Sequence, residues 1–199
     1  MLNKVKQKRN GQLFVISGPS GSGKTTLVKK ILADRKLKKK LVKSISLTTR
    51  PKRSKERSGA DYLFISEKQF RQRQKAKKIL EWTRYLGYYY ATPRDCVEEN
   101  LRQGKHILLC LDLAGVLKIK RFYPRNTTTI FILPPSLSEL CKRIRKRCQK
   151  TTAEEIEKRL SLARKEIQEA AKFDFSLVNR DLAQVTRDLK QIILDKTKN

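Results

Sequence analysis

The stretch Gly18-Pro19-Ser20-Gly21-Ser22-Gly23-Lys24-Thr25 follows directly on the run Leu13-Phe14-Val15-Ile16-Ser17 and opens a segment free of glycine and proline. It satisfies G-x-x-x-x-G-K-[ST] in full, and it does so between a strand signal and a helix signal, the setting that gives the pattern its physical meaning. The glycines let the backbone wrap so that its N–H groups point at phosphate oxygens. Lys24 places a charge at the β- and γ-phosphates, the Thr25 hydroxyl suits Mg²⁺, and the following helix adds its N-terminal dipole. A glycine-rich turn that binds nothing is the plain alternative, and the strand–turn–helix setting argues against it. Binding of a nucleoside triphosphate is the expectation, with the acceptor left open.

Working outward, the runs at 41–46, 106–111, 128–133 and 175–178 are short, aliphatic or β-branched, and not strictly alternating. Such runs suit strands buried on both faces of a parallel sheet. Helix signals lie between them: Thr92 with Pro93 and Asp95 as cap, first position and first-turn acid, closed by Gly104. Ser136 with Glu139, and Thr152 with Glu155, read as capping boxes. Ile156, Leu160, Ala163, Ile167 and Ala170 then mark one face of an amphipathic helix. Alternating strands and helices mean an α/β fold, a P-loop NTPase-type parallel sheet flanked by helices. Residues 50–91 break the alternation. They read as a basic loop, a short strand at 62–65, a helix capped by Ser66 and Gln69, and a strand pair around Gly87, hence an inserted α+β lobe.

The chain has 199 residues, and 48 Lys+Arg against 19 Asp+Glu give a net charge of +29. That length suits one domain. The charge implies attraction to phosphate-rich partners, including non-specific polyanion binding through clusters at 4–9, 35–43, 68–78 and 142–150. Only 8 Gly and 6 Pro exclude collagen, and the apolar runs exclude disorder. No apolar stretch approaches the roughly 20 residues of a bilayer span. The basic N-terminus leads into a strand signal instead of a signal-peptide core, so no membrane association and a cytoplasmic location are expected. The four cysteines form no C-x-x-C pair and His106 stands alone in a strand run, so reduced thiols and no metal framework of Cys and His are expected. No obligate protein partner is inferred.

Candidate acceptor-binding residues lie in and beside the inserted lobe. Arg50 and Arg53 are three apart after a strand signal, where forked guanidinium groups suit a monoester phosphate. Tyr62 and Tyr90 offer hydroxyl donors, and Glu81 suits an N–H edge such as that of guanine. On spacing alone, the arginines read equally as a basic surface loop, the tyrosines as packing aromatics, and Glu81 as a solvated carboxylate.

Together these motifs carry a resemblance: the chain is similar to guanylate kinases from Phe14 to about Asp181. The residues concerned are the GPSGSGKTTL loop, Ser44 to Arg53 as S-x-S-x-T-T-R-x-x-R, Gly59-Ala60-Asp61-Tyr62-Leu63-Phe64 and Glu81-Trp82. They continue with Gly87, Tyr89-Tyr90, Pro134-Pro135-Ser136, Arg143, Arg159-Leu160 and Val178-Asn179. The resemblance implies one domain over 1–199, with a core of about 13–48 and 93–199, a GMP-binding lobe of about 49–92 and a short helical lid of about 147–157. It implies ATP-dependent phosphorylation of GMP, and of dGMP alongside it, with ATP and Mg²⁺ as cofactors. By resemblance, Lys24 and the loop residues Gly18 to Gly23 bind ATP phosphates, and Thr25 helps hold Mg²⁺. Arg50, Arg53, Tyr62 and Tyr90 bind the GMP phosphate, while Ser46, Glu81, Thr92 and Asp112 face the guanine. Arg143 and Arg159 reach the transferring phosphoryl group, and Arg147 and Asn179 lie near the adenine.

Departures from the family pattern are Cys110 for the first acid of Asp-x-Asp, Ala114 for a Gln, Cys148 and Ala91 for glycines, Tyr88 for Asn and Arg180 for Asp. A thiol at position 110 removes a hard oxygen ligand, which Mg²⁺ prefers. Two other readings share the scaffold: a guanylate-kinase-like binding module, and a related kinase acting on another phosphorylated acceptor such as a phosphosugar. Lys24 and Thr25 argue against the first, Ser46 and Glu81 against the second.

Overall fold

A strand that is apolar on both sides needs cover on both sides, and β1 (Leu13–Ser17) has it, all five residues being buried. In the computed structural model, which describes residues 11–147 and 152–198, Phe14 and Ile16 join one cluster with Leu27, Val28 and Ile31 of α1 (Lys24–Ala33). Val185, Leu189 and Ile193 of α7 (Leu182–Thr197) complete it. On the opposite face, Leu13 and Val15 pack with Val97 and Leu101 of α3 (Arg94–Arg102) and with Val116 and Ile119 of α4 (Leu113–Phe122). Five parallel strands form this sheet in the order β2-β7-β1-β8-β9. The others are β2 (Leu41–Lys43), β7 (His106–Cys110), β8 (Thr127–Leu133) and β9 (Phe175–Val178). The chain leaves β1 toward β2 on one side while β8 and β9 extend the other, so the loop after β1 lies where open α/β sheets bind ligands.

A second sheet of four strands, ordered β4-β3-β6-β5, is built from β3 (Leu47–Thr48), β4 (Leu63–Phe64), β5 (Ile79–Tyr85) and β6 (Tyr88–Pro93). It is backed by α2 (Glu67–Lys75), whose Ser66 and Gln69 form a complete capping box. Phe70 is fully buried under this sheet, stacked on Tyr89 with centroids 4.6 Å apart and edge-on to Trp82 at 6.1 Å. Leu86 and Gly87 connect β5 to β6 with φ of 48° and 86°, the two left-handed residues that a tight hairpin turn requires. Helices α5 (Leu137–Arg147) and α6 (Ala153–Gln168) pack through Leu140, Ile144, Leu160 and Ala163. Residues 148–151, which include Cys148 and part of the expected lid, and the side chain of Arg147 lie outside the described residues.

Three local expectations are corrected. The single strand expected at 41–46 is two elements in two sheets. Ser44 N–H still donates to Leu108 of the core sheet, but the Ser46 carbonyl already accepts from Leu63 of the lobe, so the chain changes sheets at two small polar residues. Thr92 does not cap α3: the cap is Pro93, without a side-chain hydrogen bond, and Thr92 belongs to β6. The boxes at Ser136 and Thr152 are half-formed. Each hydroxyl accepts from the N–H three residues on, at 3.1 and 3.2 Å, but Glu139 and Glu155 turn toward arginines one helical turn ahead. No helix among the described residues is long and apolar enough to cross a membrane.

The lobe has a small core of its own centred on Phe70. Replacing Phe70 by Ala is expected to cost about 3–5 kcal/mol, and hydrogen exchange is expected to report that loss in residues 47–93 more than in the parallel sheet.

Candidate active site

Two close approaches shape the loop after β1. A Cβ on Gly18 would stand 2.3 Å from the Ile132 carbonyl, and one on Gly23 would stand 2.2 Å from Asn179 Nδ2; both glycines have left-handed φ, 136° and 99°. Asn179 is 5% exposed and its amide donates to the Ser22 carbonyl at 2.7 Å, while its own N–H donates to Leu133 at 2.8 Å. The loop is thus tied to the ends of β8 and β9. Lys24 Nζ donates to the carbonyls of Pro19, at 2.9 Å, and Gly18, which folds the side chain back over the loop. Thr25 is exposed in the first turn of α1.

The acceptor side is built on the loop between β3 and β4. Arg50 Nη2 donates to both carboxylate oxygens of Glu56, at 2.8 and 2.9 Å, and the backbone N–H of Arg53 donates to the same carboxylate at 3.0 Å. The Arg50 guanidinium lies 5.6 Å from the Tyr62 ring centroid and 5.9 Å from that of Phe64. Burial works against its charge, but the hydrogen bond to Glu56 and the Tyr90 hydroxyl raise its pKa. Tyr62 and Tyr90 meet edge to face at 5.9 Å, and burial pushes the Tyr62 hydroxyl up to about 12, so it stays a donor.

Deeper in, Glu81 on β5 is 4% exposed and accepts from Thr92 Oγ1 at 2.6 Å. Burial pushes its carboxyl up to about 7; the Thr92 hydrogen bond opposes this and the charge of Asp112 adds to it. Asp112 caps α4, its carboxylate accepting from Gly115 N–H at 2.8 Å. Cys110 closes β7 beside it, its thiol pushed up by burial. From the helical side, Arg143 donates to Glu139 at 2.9 Å, and Arg159, 8% exposed, donates to Glu155 at 2.5 and 3.1 Å. Glu166, two turns beyond Arg159 on α6, is pushed up to about 7 by burial, with Lys24 opposing and Asp112 adding.

These parts line one open cleft of about 1410 Å³. Gly18, Ser20, Gly21, Gly23, Lys24 and Thr25 meet Ser46, Arg50, Arg53, Tyr62, Glu81, Tyr90 and Asp112 there, with Arg143, Arg159 and Asn179. Pro19, Ser22 and Thr92 do not line it. Thr92 is fully buried and its hydroxyl is given to Glu81, so it acts on the cleft only through that carboxylate. Asn179, expected near the adenine, spends its amide on the loop. Glu56 and Glu166 were not identified from the sequence. Glu56 had a signal, an acid three residues after Arg53 in a basic loop, whereas Glu166 sits in a helix with many charges and had none.

A guanylate kinase family model matches residues 10–196. A curated guanylate kinase from Wolbachia pipientis wMel is 38% identical over 186 residues, covering 94% of this chain and 90% of that protein. One from Thermosynechococcus vestitus is 44% identical over 172 residues, 86% and 87% of the two chains. Among solved structures, a guanylate kinase from Anaplasma phagocytophilum superposes with a TM-score of 0.80 at 29% identity, covering 96% of this chain and 89% of that one.

The Asn179 amide is the side-chain tie between the loop and the end of β9. Asn179→Ala leaves the Ser22 carbonyl without that donor and is expected to cost about 1–3 kcal/mol in denaturant unfolding.

Proposed function

The chain belongs to the guanylate kinase family, and from that membership we propose how its own residues divide the phosphorylation of GMP by ATP. It is a phosphotransferase of P-loop type. The observation that carries the assignment of roles is that the Gly18–Thr25 loop and the Arg50–Arg53 loop open onto the same cleft.

Gly18 to Gly23 hold the donor phosphates through backbone N–H groups, and Lys24 swings from the loop carbonyls to the β- and γ-oxygens. Arg50, Arg53, Tyr62 and Tyr90 hold the acceptor phosphate. Glu81, oriented by Thr92, accepts from the guanine N–H edge, with Ser46 and Asp112 beside it. Arg143 and Arg159 leave Glu139 and Glu155 to meet the charge that develops on the transferring group. A loose phosphoryl-transfer transition state leaves little for a general base to do, so positioning and charge suffice and no histidine is needed. Thr25, an exposed hydroxyl in the first helical turn, and the carboxylate of Glu166, which lines the same cleft, would hold Mg²⁺ through oxygen donors of the kind it takes, and the ion would supply positive charge to the phosphates when bound. Arg147, whose side chain is not described, and Asn179 flank the adenine in this reading. The functional units are the core 13–48 and 93–199, the acceptor lobe 49–92 and the lid 147–157, and dGMP is a second acceptor. In this reading the reaction takes place in the cytoplasm. The exterior also supports non-specific polyanion binding: Lys68, Arg71, Arg73 and Lys75 of α2 are exposed and make no ion pair among the described residues.

Two measurements test these roles. Lys24→Ala is expected to lower kcat/KM by about 10²–10³-fold or more while the thermal transition persists. In a panel of GMP, AMP, CMP, UMP and phosphosugars, GMP is expected to be the preferred acceptor; a different winner refutes the guanine roles of Ser46 and Glu81. Acidity is a third probe. Because the Glu81 pKa is raised to about 7, its carboxylate is lost as pH falls through that value, and KM for GMP is expected to rise by about tenfold per unit below it. Glu81→Gln is expected to raise KM at pH 8 and to flatten that part of the profile.

A further inference from the structure

We propose that Glu56 is a positioning residue for the acceptor phosphate: it takes the inward donors of Arg50 and the backbone of Arg53, and so aims the remaining donors of both arginines into the cleft. The proposal rests on the reading of Arg50 and Arg53 as phosphate ligands.

Two guanidinium groups three residues apart in an irregular loop repel each other, and their long side chains have many rotamers. Something must hold them together before an anion arrives. Glu56 does so from below. Its two oxygens accept from Arg50 Nη2, one of them also accepts from Arg53 N–H, and Arg53 Nη1 stands 3.9 Å away. A single carboxylate thereby closes the loop from residue 50 to residue 56. Arg50 Nη1 donates to the Pro51 carbonyl at 2.7 Å, and the rings of Tyr62 and Phe64 fix its plane. Arg50 is thus held at both Nη atoms while its side chain still lines the cleft.

Arg50, Arg53 and Glu56 all line the cleft, but the side chains of Arg50 and Glu56 are 11% and 13% exposed, whereas that of Arg53 is 39% exposed. The two arginines therefore differ in duty: Arg50 is preset and Arg53 adapts. Burial works against the Glu56 charge, but the bond from Arg50 and the Arg53 N–H hold its carboxyl below the usual range, so it is ionised throughout neutral pH. A carboxylate anchored to a backbone N–H is part of the loop, not a place-holder that the phosphate expels. Preorganisation of this kind lowers the ordering cost of binding.

The test compares GMP with guanosine by calorimetric titration of the wild-type protein and of Glu56→Gln and Glu56→Asp, with kinetics alongside. For Glu56→Gln, GMP affinity is expected to fall about tenfold to a hundredfold, guanosine affinity and KM for ATP to hold, and kcat to change little. Glu56→Asp, one methylene short of spanning both arginines, is expected to fall between and serves if the Gln variant does not fold. Tighter GMP binding in Glu56→Gln would make the carboxylate a competitor and overturn the proposal. Equal losses for GMP and guanosine would make its role merely structural, and an unchanged GMP affinity also ends it. If the wild-type protein gains nothing from the phosphate, the ligand assignment of Arg50 and Arg53 fails and the proposal with it.

Discussion

The closeness of the Gly18–Thr25 loop to its neighbours is the constraint from which the rest of the site follows. With the Ile132 carbonyl and the Asn179 amide where side chains would otherwise be, the loop has room for backbone alone, and backbone N–H groups are what an anion needs. That closeness in turn depends on β1 being packed on both faces, because a strand free to shift would carry the loop with it. Helix α1 begins at Lys24, so the residue that carries the charge is also the first held by regular structure. Burial, turn geometry and charge placement are here one arrangement.

Charge in the cleft is balanced locally although the protein as a whole carries +29. Three of the four arginines assigned to phosphate give side-chain hydrogen bonds to a carboxylate, Arg50 to Glu56, Arg143 to Glu139 and Arg159 to Glu155, while Arg53 Nη1 stands 3.9 Å from Glu56. The three pairs differ in kind. Those of α5 and α6 are i,i+4 helix pairs whose acids are half-exposed, so water reaches the carboxylate side even where, as at Arg159, the arginine itself is buried. The pair at Arg50 is enclosed and shares a backbone donor, so it resists exchange. The helical arginines are accordingly suited to move and the lobe arginine to stay.

Much of this architecture was legible in the chain. The runs at 13–17 and 175–178 coincide with β1 and β9: β1 is buried on both faces, which leaves an unmistakable apolar text, whereas β9, at the edge of the sheet, alternates half-buried and exposed residues and is not the doubly buried strand its run suggests. The glycine-rich loop was legible for the same kind of reason, since its chemistry is local. What escaped was non-local. Thr92 reads as a helix cap from its neighbours Pro93 and Asp95, and only pairing with β5 brings Glu81 within 2.6 Å to claim its hydroxyl. The break in the 41–46 run depends on which carbonyls lie opposite Ser44 and Leu63, which no window of sequence contains. Glu166 was missed because a carboxylate among many charges is distinguished only by what surrounds it.

The acceptor loop does not end at Glu56; it continues to Asp61, and there it is fastened to the core. Lys43, at the end of β2, donates to the carbonyls of Ala60 and Asp61 at 2.9 and 3.2 Å, and Lys29 of α1 pairs with the Asp61 carboxylate at 3.3 Å. Lys29 stands on the same helix that starts at Lys24, so one rigid rod touches the donor loop at its first residue and the acceptor loop a turn and a half later. α1 is thereby an element that both loops share, joined to one at its first residue and to the other through an ion pair at its surface, so the placement of a single helix sets the two walls of the cleft.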